Sequence, residues 1–249
     1  MLRKLLHIII VLLSGGFILV TLSFSARESK NALCRDIEII FKEDEPIKIS
    51  RDEIMRLVKS SDDNIIGREI RDIDADHIEK EVEKHQAILK AEVYKVTAKD
   101  SSSYSGIIGV RVMHRIPVVR IMSSSGSYYL DKNGRKIPVS GNYAAHVLVV
   151  TGYFSEEFAK EQLLPFILHI DKCPFWKAQI EQVHVEKSGD LLLTPLVGSH
   201  LIELGPLEDY QNKLVNLRAF YDQVLVQNNW NKYKMISVKY NNQVIGKKR

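Results

Sequence analysis

The longest apolar run comes first. From Leu5 to Phe24, twenty consecutive residues carry no formal charge. As a helix, rising ~1.5 Å per residue, such a run spans the hydrocarbon core of a bilayer. Beyond it the pattern alternates. Ile37, Ile39 and Phe41 take every second place in 34–42, the period of a half-buried strand. Ser50-Arg51-Asp52-Glu53 has the form of a capping box, and Ile54, Leu57 and Val58 follow on one helical face. A second helix is expected from Asp74 or Asp76 to about His85, with Ile78 and Val82 inward. Its charged residues Glu79, Lys80, Glu81, Glu83 and Lys84 are expected on a solvated face. Two β-rich runs, 91–98 and 107–114, flank a polar loop over 100–106, and Pro117 closes the unit. Strand, helix, helix, strand, strand is most economically packed as two helices on one side of a three-stranded sheet.

After Arg120 the pattern changes. Ser123–Ser127 reads as a hinge, 128–131 as a strand and Lys132-Asn133-Gly134 as a hairpin turn. A buried strand is expected over 146–150. Ser155 is placed to cap a helix that Pro165 interrupts, with a break or a new first turn expected there. Segments 179–186, 191–196 and 200–204 form a meander. Tyr210, Leu214, Leu217, Tyr221 and Val224 recur at helical spacing. The closing element, 234–245, reads as one strand with Ile236, Val238, Tyr240 and Val244 on a common face.

Charge refines the picture. The chain has 249 residues, 35 basic and 31 acidic, a net of +4. Residues 1–30 hold +3, the last three residues hold +3, and the body between them −2. A near-neutral body excludes a protein built to coat nucleic acid. Two cysteines exclude a disulfide-dense scaffold; Cys34 and Cys173 are read as unpaired and buried, with a single disulfide between them the alternative. Arg3 and Lys4 precede the apolar run, so the short basic end stays cytoplasmic and the rest is exported. The run's length favours a retained anchor, with a cleaved signal peptide as the alternative.

Candidate chemistry is sparse. The sequence contains no nucleophile elbow, zincin, phosphate-loop or C-x-x-C motif. Asp72, Asp74 and Asp76 lack the glycine and distal glutamate of a calcium loop and are read as helix caps. No catalytic residue, metal or cofactor is assigned. The remaining candidate is backbone: a closing strand commonly lies at a sheet edge and offers unpaired N–H and C=O groups to a visiting strand. Lys239 within it favours the opposite reading on composition alone, a guard against such pairing on an edge that binds nothing.

The order of these features resembles the FtsQ/DivIB family of bacterial cell-division proteins. Ile108-x-Val110-x-Val112-x-His114-Arg115-x-Pro117-Val118 is similar to the family's segment at the end of its POTRA unit, with His114 where glutamate is usual. Tyr129-Leu130-Asp131-x-x-Gly134 is similar to the opening hairpin of the family's β domain, and Leu214-x-x-Leu217 to its late helix. Ile236-x-Val238-Lys239-Tyr240 followed by Gln243-Val244-Ile245 resembles its closing strand.

The resemblance implies an α+β chain: an N-terminal transmembrane helix, a POTRA domain (β-α-α-β-β), then a mixed β-sheet domain with flanking helices. The segments are a cytoplasmic tail 1–4, membrane helix 5–24, linker 25–33, POTRA domain 34–120, β domain 121–246 and a solvated basic tail 247–249. It implies a non-enzymatic divisome scaffold in the inner membrane at the septum, without a cofactor. Its partners would be FtsB-like and FtsL-like proteins, with other division proteins meeting the POTRA domain. Val238, Lys239, Tyr240, Asn242, Gln243 and Val244 would bind the partner. The alternative is an anchored or secreted cell-wall hydrolase with an unfamiliar site. An outer-membrane assembly factor is disfavoured, because no barrel-forming strand pattern follows.

Overall fold

The computed structural model describes residues 9–21, 32–41, 49–100, 103–124, 126–140, 144–226 and 230–249. Residues 9–21 form a helix, α1, with mostly exposed side chains. Its polar groups are satisfied locally: Ser14 donates to the Val11 carbonyl and Thr21 to that of Phe17, at 2.9 and 3.0 Å. The rest of the expected span lies outside the described residues. Among those described, no helix is long and apolar enough to cross a membrane.

Two compact units divide between His114 and Arg115, ahead of the expected boundary at 120. The reason is that Pro117 does not close the first unit; it opens a strand of the second sheet. The first unit runs β1 (Leu33–Phe41), α2 (Arg51–Ser61), α3 (Ala75–Glu83), β2 (Ile88–Asp100) and β3 (Ser103–His114). Its sheet has the order β1-β3-β2, with β1 parallel and β2 antiparallel to the central β3. Ile108, Val110 and Val112 of β3 are fully buried, as are Ile54 and Val58 of α2 and Val82 of α3. Ser50 accepts the Glu53 N–H at 3.1 Å and Asp74 that of His77 at 3.0 Å, so both helices start at caps. The Glu53 carboxylate turns instead to His85, 3.4 Å away. Buried His114 accepts the Ile49 N–H at 3.2 Å and stacks on Phe41.

Two features differ from the sequence pattern. The loop expected over 100–106 is largely strand, for the β2–β3 ladder continues to Asp100 opposite Ser103. Serine and tyrosine support a two-residue period as well as a loop, and an established ladder extends through them. The face of α3 expected in solvent does structural work: Glu79 accepts the Val93 N–H at 2.7 Å and Glu83 that of Ala91 at 3.1 Å. These carboxylates one turn apart cap two N–H groups on the outer edge of β2.

The second unit holds a nine-stranded sheet. In chain order its strands are β4 (Pro117–Ser123), β5 (Gly126–Asp131), β6 (Lys136–Pro138), β7 (Leu148–Gly152), β8 (Ile180–Val185), β9 (Leu191–Pro195), β10 (Leu201–Gly205), β11 (Tyr233–Ser237) and β12 (Ile245–Lys248). Across the sheet the order is β12-β11-β10-β9-β8-β7-β4-β5-β6. The expected hinge is the turn of the β4–β5 hairpin, where Ser123 pairs with Gly126. Asp131 closes the next turn, accepting the N–H groups of Asn133 and Arg135 at 2.9 and 2.8 Å and an Arg115 contact at 3.1 Å. Only Gly134 takes a positive φ there, 74°, so the turn uses glycine's freedom once.

Helices cover one face. Ser155 caps α4 (Glu156–Phe158), which runs through a wide turn at Ala159–Leu163 into α5 (Leu164–Lys172). The wide turn spares Pro165 the bond its missing N–H cannot make, and Pro165 lies in the first turn of α5, the second of the two expected outcomes, with the helical path unbroken. Next come α6 (Pro174–Gln179) and α7 (Tyr210–Phe220). A second wide turn, Tyr221–Leu225, shifts the phase of α7, burying Leu225 rather than Val224. Val119, Val150, Val183, Leu193, Ile202 and Ile236 from successive strands meet Phe166, Leu217 and Tyr221 in one core.

Within it His200 is 2% and Tyr221 1% exposed, with His200 Nε2 2.7 Å from the Tyr221 hydroxyl. Phe175, Trp176 and Trp230 surround the pair edge-on. Burial pushes the Tyr221 phenol up and the His200 imidazole below its ordinary value.

Two outcomes follow from this packing. Removing a carboxylate in Glu79→Ala should speed amide exchange at Val93 and cost the first unit about 1 kcal/mol, seen by hydrogen exchange and urea unfolding. The unfolded chain protonates His200 at about pH 6.5, the folded chain only lower. Stability from neutral His200 is therefore full above that pH and lost as pH falls toward the folded value. The urea midpoint of the second unit should drop between about pH 7 and 5, and His200→Gln should flatten that slope.

Candidate functional site

An unpaired N–H or C=O at a sheet edge is what a visiting strand uses. In the first unit both edges are occupied in part. Glu79 and Glu83 take two N–H groups of β2, those of Val93 and Ala91. The start of β1 is bonded to the segment that follows α2: Cys34 donates to the Arg68 carbonyl, and Gly67 to that of Cys34, each at 2.8 Å. In the second unit one outer strand, β6, is three residues long and ends in Pro138, which has no N–H to offer. The other is β12. Among the described residues no strand pairs with its outer side.

The expected closing strand over 234–245 is two strands joined by a connector. β11 lies inside the sheet, parallel to β10 and antiparallel to β12. Asn242, at φ 57°, reverses the chain, and the Gln243 N–H donates to the Tyr240 carbonyl at 3.3 Å. Alternating apolar residues disguise the turn, but Asn241-Asn242 is its signal, since asparagine tolerates left-handed backbone. Ile245–Lys248 is the edge the sequence pattern missed, and Lys247 and Lys248 are strand residues rather than a tail.

The six residues expected to bind a partner all fall in this connector, with different fates. Val238 is 1% exposed and donates its N–H to Glu203 at 2.9 Å, continuing the β10–β11 ladder. Lys239 reaches Asp190 at 2.6 Å, and this ion pair raises its pKa. Val244 packs against the core. Tyr240 is 58% exposed, and Asn242 and Gln243 are exposed beside it. Lys239 is thus a clamp that fixes the connector and leaves the tyrosine outward.

The edge strand is anchored at both ends. Tyr233 lays its ring over Gly246, where a Cβ would come within 2.5 Å of a ring carbon, so a larger residue there would have to displace the ring. Phe220 packs edge-on against that ring. At the far end Arg249 donates its N–H to the Lys232 carbonyl at 3.2 Å and its guanidinium to the Ser199 carbonyl at 2.9 Å. Successive residues of a strand direct their N–H groups to opposite sides. With Arg249 bonded inward, Lys247 and Ile245 also face β11, and Gly246 and Lys248 present their N–H and C=O groups outward.

The side chains offer less. An open hollow of about 360 Å³ beside β1 is lined by Asp36, Glu38, Arg51 and Asp52 among others. A second, of about 380 Å³, lies at Tyr153, His184, Glu186, Lys187 and Ser188. Among the described residues no cluster of three or more histidine, cysteine or acidic side chains is arranged to hold a metal. Neither hollow gives the hydrolase alternative support. Cys34 and Cys173 are free thiols, and burial raises the pKa of Cys34.

Comparison with known proteins follows the same division. Residues 32–100 match the model of a POTRA-like domain, consistent with the β-α-α-β-β unit. Residues 116–247 match the model described as FtsQ/DivIB, C-terminal related, from the strand after the division through most of β12. No curated protein matches the chain. With more than half its length under that second model, and a POTRA-like domain ahead of it, the chain belongs to the FtsQ/DivIB family of cell-division proteins.

Proposed function

We propose that this chain is a bitopic divisome scaffold that accepts a strand from an FtsB-like protein, paired with an FtsL-like one, along β12. It thereby links septal peptidoglycan synthesis to the division ring. The single observation that carries this reading is the open outer side of β12, at the end of a sheet whose other edge is short and ends in proline. Strand addition takes affinity from main-chain bonds and register from side chains alongside. Gly246 and Lys248 supply the outward backbone groups. Tyr240, Asn242 and Gln243, at the turn leading into the strand, are the side chains placed for the partner. The uncharged run Leu5–Phe24 is the anchor that holds the two units outside the cytoplasm at the septum. The POTRA domain is the second docking module, for other division proteins.

Depletion with imaging tests the division role: long undivided cells are expected, and normal septation would refute it. The docking route has its own signature. Lys248→Pro removes an outward N–H and should cut partner binding at least about tenfold without changing the unfolding midpoint. Lys247→Pro removes an inward one and should instead lower stability by about 1–3 kcal/mol. Tyr240→Ala should cost more than about 1 kcal/mol of binding energy in calorimetric titration, with the fold intact.

A further inference from the structure

The last two strands carry charge of one sign. Between Trp230 and Arg249 the chain has six basic residues and no acidic one. Lys239 is neutralised by Asp190, and Arg249 is held at Ser199. Lys234, Lys247 and Lys248 are exposed and have no ion-pair partner among the described residues. On β12 the two-residue period sends Lys247 to one face of the sheet and Lys248 to the other. A strand lying alongside would therefore meet a lysine above and a lysine below its own backbone.

Three kinds of neighbour can be weighed. A second copy pairing through the same strand would set lysines against lysines, which is unfavourable across a ladder. An anionic lipid surface would meet one side of the sheet and leave the other lysine and the outward backbone row unserved. An acidic strand would satisfy both, pairing main chain to main chain and a carboxylate to each lysine. We infer that the segment accepted by β12 is an acidic strand, with aspartate or glutamate on both of its faces opposite Lys247 and Lys248. This deepens the strand-addition reading above and rests on it. The two lysines then have two physical effects on that edge: they repel self-association and they select the partner.

Each exposed opposite-charge pair is worth about 1.4- to 5-fold in affinity, so the two together, when reversed, amount to about tenfold. The probes are three short labelled peptides of alternating threonine and valine, with glutamates, lysines or serines interspersed on both faces. Binding to the full chain in detergent micelles is read by fluorescence anisotropy at low and high salt. The glutamate peptide is expected to bind best and to weaken with salt. Lys247→Glu/Lys248→Glu should lower its affinity about tenfold and favour the lysine peptide. Lys247→Gln/Lys248→Gln should fall between, and circular dichroism checks each fold. Equal binding of all three peptides, lost together in Lys248→Pro, would overturn the acidic preference and leave strand addition standing. Binding indifferent to Lys248→Pro would overturn both. Sedimentation with phosphatidylglycerol vesicles that depends on the two lysines, while the glutamate peptide does not bind, would assign the charge to the membrane and overturn the inference.

Discussion

A backbone amide at the rim of a sheet must find an acceptor, and this chain meets that requirement differently at each rim. Glutamates from α3 take two N–H groups of β2, and the segment after α2 takes the start of β1. Proline ends β6. In the second sheet β12 is the edge whose outer row is left open among the described strands, and the surrounding features hold that row in place. The core face of the sheet is buried under α5, α6 and α7, so the strands cannot slide without exposing Ile202, Ile236 and their neighbours. The Lys239–Asp190 pair clamps the connector, Tyr233 covers Gly246, and Arg249 ties down the far end. A pre-ordered edge lowers the conformational entropy lost when a partner strand docks.

Much of the architecture is legible in the residues because it is local. Ser50, Asp74 and Ser155 announce helix starts and each accepts an N–H there. Ile108, Val110 and Val112 declare a half-buried strand and are fully buried. Tyr210, Leu214 and Leu217 mark the inner face of α7, until the wide turn at Tyr221 advances the phase and buries Leu225. That shift was not legible. Nothing in the apolar spacing distinguishes a turn of four residues from one of five.

The site was legible only in outline. The family resemblance pointed to the end of the chain, and period-two alternation across residues 236–244 made one strand of two. Within the connector, alternation could not tell Val238, which faces the core, from Tyr240, which faces solvent. The three basic residues at the end read as a tail because charge runs usually are. Hydrogen bonding to β11 makes strand residues of two of them.

What the sequence alone determined is the capped helix starts, the alternation of strands such as the one over 108–112, the change of pattern between two units and the apolar run ahead of them. All of these depend on residues a few positions apart. What only the tertiary structure decided is which strand lies outermost, which glutamates cover β2, and that Lys239 answers Asp190 across 49 positions. Strand order is a property of pairing between distant segments, and one sequence records the faces of a strand without recording its neighbours. The open edge is therefore a fact of topology, even though every residue that forms it can be read in the chain.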